Sequence, residues 1–197
     1  EYGEFLKDRI AKGIIEAASR LEPARIGWAV GNNSRQVFNR RWYMRSSYNM
    51  EDPFEKGTDK VKMNPPAGAS SLLKPAGPTD PELPILSVQA LDGRPIALLA
   101  NYSLHYVGGV PAEMLSADYF GEFAKQFSRL IGANDERSEF VAIMTNGTSG
   151  DINNINFFEP RVRKPPFEQI RLVGLDVSES AWIAYKRVEY VDWVPIK

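Results

Sequence analysis

The chain has 197 residues, 43% of them hydrophobic, enough to bury one sizeable core in a single domain. Lys and Arg number 24 against 25 Asp and Glu, and a formal charge of −1 provides no basic field for holding nucleic acid by counterion release. Cysteine is absent, which excludes disulfides, thiolate nucleophiles and cysteine-based zinc sites, and no run of about 18 apolar residues predicts a transmembrane segment. The chain opens at Glu1 directly into helical periodicity, which reads as a fragment of a longer polypeptide. Three Asn-x-Ser/Thr triplets, at Asn32, Asn101 and Asn146, read as chance.

Phe5, Leu6, Ile10, Ile14, Ala17, Ala18 and Leu21 recur at three- and four-residue spacing, which predicts an amphipathic helix ended by Pro23. Residues 25–31 (RIGWAVG) are short, apolar and flanked by breakers, the pattern of a buried strand. Residues 32–84 mix Pro, Gly, Ser and charge without sustained periodicity and read as a long, loop-rich excursion. Residues 83–91 and 96–105 flank Asp92-Gly93 and form a predicted hairpin, because Asp-Gly supplies the positive φ of a tight turn. A helix is predicted over 117–131, a central strand over 140–145 and a long helix over 167–190. Helices alternating with hydrophobic strands predict an α/β domain whose mixed sheet carries flanking helices.

In such folds ligands collect where strands run into loops. The only histidine, His105, closes the second hairpin strand and is followed by YVGGVP. An imidazole held there suits a metal ligand or a proton-transfer group, and equally a hydrogen-bonded histidine at the core rim. The second loop, residues 146–154, is dense in hydrogen-bonding groups. Its glycines allow backbone N–H groups to converge on an oxyanion, which makes Asn146, Gly147, Thr148, Gly150 and Asn153 candidate substrate-binding residues. Ser149 matches the G-x-S-x-G elbow only loosely, its second glycine standing one place early. Ser, Thr, Asn and Asp also build turns from their own backbone bonds, and Asp118 in SADYFGEF suits a helix start behind Ser116.

The order of NYSLH, SADYFGEFA and FVAIMTNGTSGDINN resembles the N-terminal catalytic domain of the neutral/alkaline (non-lysosomal) ceramidases, over about residues 23–156. Asn101 and His105 match that family's strand and zinc-binding histidine; Ser116 and Asp118 match its helix opening. Phe140, Val141 and Ala142 match the strand before its Asn-x-Gly-Asp-x-Ser-Pro-Asn loop, and Asn146, Gly150 and Asp151 match part of that loop. Asn39-Arg40 looks like the family's Asn-Arg pair. The resemblance implies a zinc amidase of the kind found in environmental bacteria, often exported, acting on a lipid or other small linear amide, with His105 a metal ligand and Asn101, Asp118 and Arg40 in support.

The departures are specific. The family takes further zinc ligands from a second histidine, a glutamate and a tyrosine, whereas this chain has one histidine. A catalytic zinc normally uses three protein ligands, so the remainder of the same polypeptide is expected to supply the others. Aligned on Gly150-Asp151, Asn153 stands where the family has its serine; aligned without a gap on Asn146, Asp151 stands there. Ser149 and Asp151 are then the catalytic candidates. Two other readings follow: a ceramidase-like binding module without chemistry, presenting Trp42, Tyr43 and Tyr48, and a metal-independent serine hydrolase pairing Ser149 with His105.

Overall fold

A computed structural model describes residues 1–45, 48, 52, 54, 59–133 and 139–195. Its frame is a five-stranded mixed sheet built from β1 (Ala24–Asn32), β6 (Glu82–Ala90), β7 (Pro95–Tyr102), β8 (Val141–Asn146) and β10 (Glu189–Val191), ordered β10-β1-β6-β7-β8. All neighbours are antiparallel except β7 and β8, which run parallel because α2 (Asp118–Leu130) crosses between them. The hairpin turn forms as its sequence predicts: Gly93 takes φ 91°, and the Arg94 N–H donates to Asp92 Oδ1 at 2.9 Å.

One face of this sheet carries α2 and α3 (Glu168–Tyr185). Leu83, Ile85, Leu98, Ala100 and Met144 point into that layer and meet Phe123 and Phe127 of α2 and Val173, Val177 and Ala181 of α3. The two helices approach closely at Gly174, where an added Cβ would stand 2.7 Å from Glu122 Cβ. On the other face the register places Trp28, Leu86, Leu99 and Ile143 in one row, and three of those four side chains are exposed. Residues 25–31 form the expected strand, but its burial is confined to one face, with Trp28 and Val30 exposed on the other. Its glycines, Gly27 and Gly31, account for its buried positions.

Other expectations are corrected by the tertiary pairing. The N-terminal periodicity does give a helix, α1 (Tyr2–Ser19), but none of its residues is buried. The stretch read as a loop over 32–84 contains β2 (Phe38–Asn39), β3 (Arg41–Met44), β4 (Val61–Met63) and β5 (Leu72–Pro75). The last three make a second sheet, ordered β4-β3-β5, and β2 pairs with β9 (Ile152–Asn153). These strands are two to four residues long, too short for alternation to show. They close around a second cluster of Trp42, Met44 and Phe157, with Leu72 and Ile155 packed against it. The final helix stops at Tyr185 instead of 190, because the chain turns through Arg187 and Val188 to pair Val191 with Ile26 at the sheet edge.

Strand β7 ends at Tyr102, three residues before His105, which was expected to close it. The parallel ladder finishes at Tyr102 opposite Asn146, and the Gly147 N–H donates to the Tyr102 carbonyl at 3.0 Å. Beyond that point the backbone turns toward α2, where the Tyr119 hydroxyl donates to the buried Leu104 carbonyl at 2.9 Å.

Candidate functional site

The start of α2 holds the loop that carries His105. Asp118 occupies the left-handed region at φ 51°, which its short polar side chain tolerates. Its carboxylate accepts the Val107 N–H at 2.8 Å, the Gly108 N–H at 2.9 Å and the Tyr119 N–H at 2.7 Å. Ser116 Oγ in turn accepts the Asp118 N–H at 3.0 Å. Together with the bond from Tyr119 to Leu104, these contacts pin the backbone on both sides of His105. The imidazole is half-buried, lies against the Tyr106 ring at 4.2 Å between centroids, and makes no hydrogen bond among the described residues.

His105 opens on a cavity of about 420 Å³ whose polar wall is Arg40, Asn64, Asn153 and Arg161, with Ile155 and Phe157 on the apolar side. Arg40 is fixed there twice. Its guanidinium donates to the Gly150 carbonyl from Nε at 3.0 Å and from Nη2 at 2.7 Å, and its backbone N–H donates to the Asp151 carbonyl at 2.7 Å. Asn153 is held by β9, its Oδ1 accepts the Ile155 N–H at 3.2 Å, and its amide donates to Asn64 Oδ1 at 3.4 Å. Arg161 makes no ion pair or hydrogen bond among the described residues, which leaves its five donors available to a ligand.

The rest of the glycine loop stands apart from this wall. Asn146 ends β8, and the Ser149 N–H donates to the Gly147 carbonyl at 2.8 Å while the Ser149 carbonyl accepts the Ile152 N–H at 3.0 Å. Ser149 is thus part of a turn and does not line the cavity. Thr148 Oγ1 lies 3.3 Å from Ser103 Oγ, which donates to Asp80. Gly147 sits so close to Ser103 and Asn101 that a Cβ would come within 2.7 Å and 2.8 Å of their side-chain oxygens. The Asn101 amide donates to Thr145 Oγ1 at 2.8 Å, a bond between neighbouring strands. The Asp151 carboxylate is exposed and pairs with Arg41. The structure therefore groups His105, Arg40 and Asn153, and places Ser149 and Asp151 outside that group.

Asn64 and Arg161 escaped the sequence reading. Asn64 left one trace, a left-handed-tolerant residue before Pro65-Pro66, and it does adopt φ 50°. Arg161 left none, since a single arginine in a polar loop is unremarkable.

Among the described residues no group of three or more His, Cys, Asp or Glu side chains converges, and the cavity wall offers one imidazole and no carboxylate. These residues do not by themselves fit a zinc site. No helix of the described residues is long and apolar enough to cross a membrane.

No protein-family model matches the sequence, and no curated protein matches it. Solved structures do. A ceramidase complexed with C2 superposes with a TM-score of 0.58 at 17% identity over 87% of this chain. The neutral ceramidase from Pseudomonas aeruginosa superposes with a TM-score of 0.56 at 18% identity over 91% of it. The chain covers 23% and 25% of those two proteins, so it spans about a quarter of their length. It has a ceramidase-like α/β fold, corresponding to a segment of those enzymes.

Proposed function

We propose that this chain forms the amide-binding side of a ceramidase-like hydrolase, holding a linear amide in the cavity between His105, Arg40, Asn153 and Arg161. The observation that carries the reading is that His105 and Asn153 share one cavity. Asn153 is the residue that replaces the family's serine when the loop is aligned on Gly150-Asp151, and the alternative position, Asp151, faces away. The likeness of fold to two ceramidases supports the same reading.

The residues have distinct work in it. The free guanidinium of Arg161 and the carboxamide of Asn153 are donors for a carbonyl oxygen as negative charge develops there. Arg40 acts through the backbone, holding the Gly150 and Asp151 carbonyls so that β9 presents Asn153 to the cavity. His105 supplies the one imidazole on the wall among the described residues, a group that can accept a proton and give it back. With a carboxamide in place of a hydroxyl, the nucleophile in this scheme is water. Its proton passes to His105 and then to the leaving amine as the C–N bond breaks, giving a carboxylic acid and an amine.

A second reading, a binding module without chemistry, is favoured by a cavity wall that carries no serine, threonine or carboxylate among the described residues. One experiment separates the two. The protein is incubated with an N-dodecanoyl amide of a fluorogenic amine, and release is followed for the wild type, His105→Ala and Asn153→Ser. Hydrolysis that is lost in His105→Ala supports the enzyme. An amide that binds but is never cleaved, even by Asn153→Ser, supports the binding module. Absence of both binding and cleavage refutes the pair.

A further inference from the structure

The cavity at His105 has a neighbour across Arg161. Beside it lies a groove of about 710 Å³ that shares Val107, Ile155 and Arg161 with it and is lined by the Gly108-Gly109 turn and the start of α3. The walls of this groove alternate in character. Val110, Pro165 and Pro166 are apolar, whereas Arg163 and Lys164 place two cations along one side, beyond Arg161.

Cations on protein surfaces are commonly matched by nearby carboxylates. Here Arg161, Arg163 and Lys164 make no ion pair or hydrogen bond among the described residues, and Glu159 is the one acid on the groove wall. Elsewhere among the described residues Arg20, Arg25, Arg35, Arg41 and Arg94 are paired with carboxylates, whereas Lys62, Arg171 and Lys186 are exposed and unpaired outside this groove, so what distinguishes this site is three unpaired cations on one concave wall. The net charge of −1 makes a local excess of two positive charges a property of this groove rather than of the protein. A concave, partly apolar groove with unpaired cations on its wall fits an amphiphile with an acidic head, because the apolar wall takes the chain while the guanidinium and ammonium take the anion.

We infer that Arg163 and Lys164 recognise an acidic group on the ligand, so that the preferred substrate class is a linear amide bearing a carboxylate or phosphate and not a neutral one. This rests on the amide-binding reading of the His105 cavity for the rest of the ligand. No chemistry is required of either residue; both act on affinity.

The test compares N-dodecanoylglycine with N-dodecanoylethanolamine, which share chain and amide and differ in charge, by isothermal titration calorimetry below their aggregation concentrations. The acidic amide is expected to bind about tenfold more tightly at low salt, with the advantage shrinking as salt screens the exposed cations. The Arg163→Gln/Lys164→Gln variant should lose most of that preference and keep its affinity for the neutral amide. Arg129→Gln, on the exposed side of α2, serves as the charge control and should leave the preference intact. Equal affinities in the wild type, or a preference that survives the double variant, would overturn the inference. Inorganic phosphate is titrated in parallel. If neither amide binds but phosphate binds and is lost in the double variant, the amide-binding reading fails and the anion site stands; if phosphate also fails to bind, both fall.

Discussion

Asp118 is the residue on which the position of His105 depends most directly, and its replacement has a calculable cost. The carboxylate accepts three backbone N–H groups, two of them from the loop eleven and ten residues upstream. At a half-exposed position each such bond is worth about 1 kcal/mol. Alanine at φ 51° adds about 1 kcal/mol of backbone strain that aspartate largely escapes. Asp118→Ala should therefore destabilise the protein by about 3 to 4 kcal/mol, equivalent to a melting temperature lower by roughly 10 °C in a domain of this size. Asp118→Asn separates the contributions. Its amide oxygen at the Oδ1 position still accepts from Val107 and Tyr119, it tolerates the left-handed backbone, and it loses only the bond from Gly108, at a cost of about 1 kcal/mol. Urea unfolding of both variants gives the two numbers, and amide hydrogen exchange at Val107 and Gly108 shows whether the loop has come free. If Asp118→Ala loses less than about 1 kcal/mol, or if both amides stay protected in it, the loop is held by something other than this carboxylate.

Two further outcomes follow from the packing and the electrostatics. Gly174→Ala inserts a methyl 2.7 Å from Glu122 Cβ and 3.2 Å from the Glu122 backbone carbon, so helix propensity is outweighed and stability falls by about 1–3 kcal/mol. Gly13→Ala in α1 meets nothing within 4 Å and should stabilise that helix locally by up to about 1 kcal/mol, read as slower amide hydrogen exchange within α1, while the urea midpoint of Gly174→Ala falls. Burial pushes the Asp176 carboxyl up, but hydrogen bonds from Arg35 and Gln36 to its oxygens more than offset it and hold the group below its ordinary value of 3.8. A lowered folded-state value means the stabilisation is present above that pH and is lost as pH falls through the folded-state value. The urea midpoint of the wild type should drop on acidification below about 3.8, and Asp176→Asn should show a shallower drop; identical acid limbs would sink this assignment.

The helices and the hairpin were legible because each is specified locally. Phe123 and Phe127 repeat at helical spacing and both are buried, and Asp92-Gly93 dictates its own turn. Strand β10 was not legible, since Glu189, Tyr190 and Val191 become a strand only when the free edge of β1 is placed beside them. The same holds for β3, β4 and β5, which are three or four residues long and lie over a cluster in which Trp42 meets Phe157 from more than a hundred residues away. At the site, His105 was identified because it is the chain's one histidine, and Arg40 and Asn153 by resemblance. Asn64 and Arg161 come from loops that have no local pattern, so nothing short of the folded chain brings them to the imidazole.

Sequence by itself determined the helical and hairpin segments, the absence of thiol chemistry, and the mixed α/β class, because periodicity, turn stereochemistry and composition are properties of near neighbours. The tertiary structure alone decided that β7 stops three residues short of His105, that Ser149 turns away while Asn153 turns in, and that Arg161, Arg163 and Lys164 make no ion pair among the described residues. Those outcomes depend on which distant backbone groups pair, and pairing energies of that kind are set by three-dimensional proximity that no local run of residues encodes.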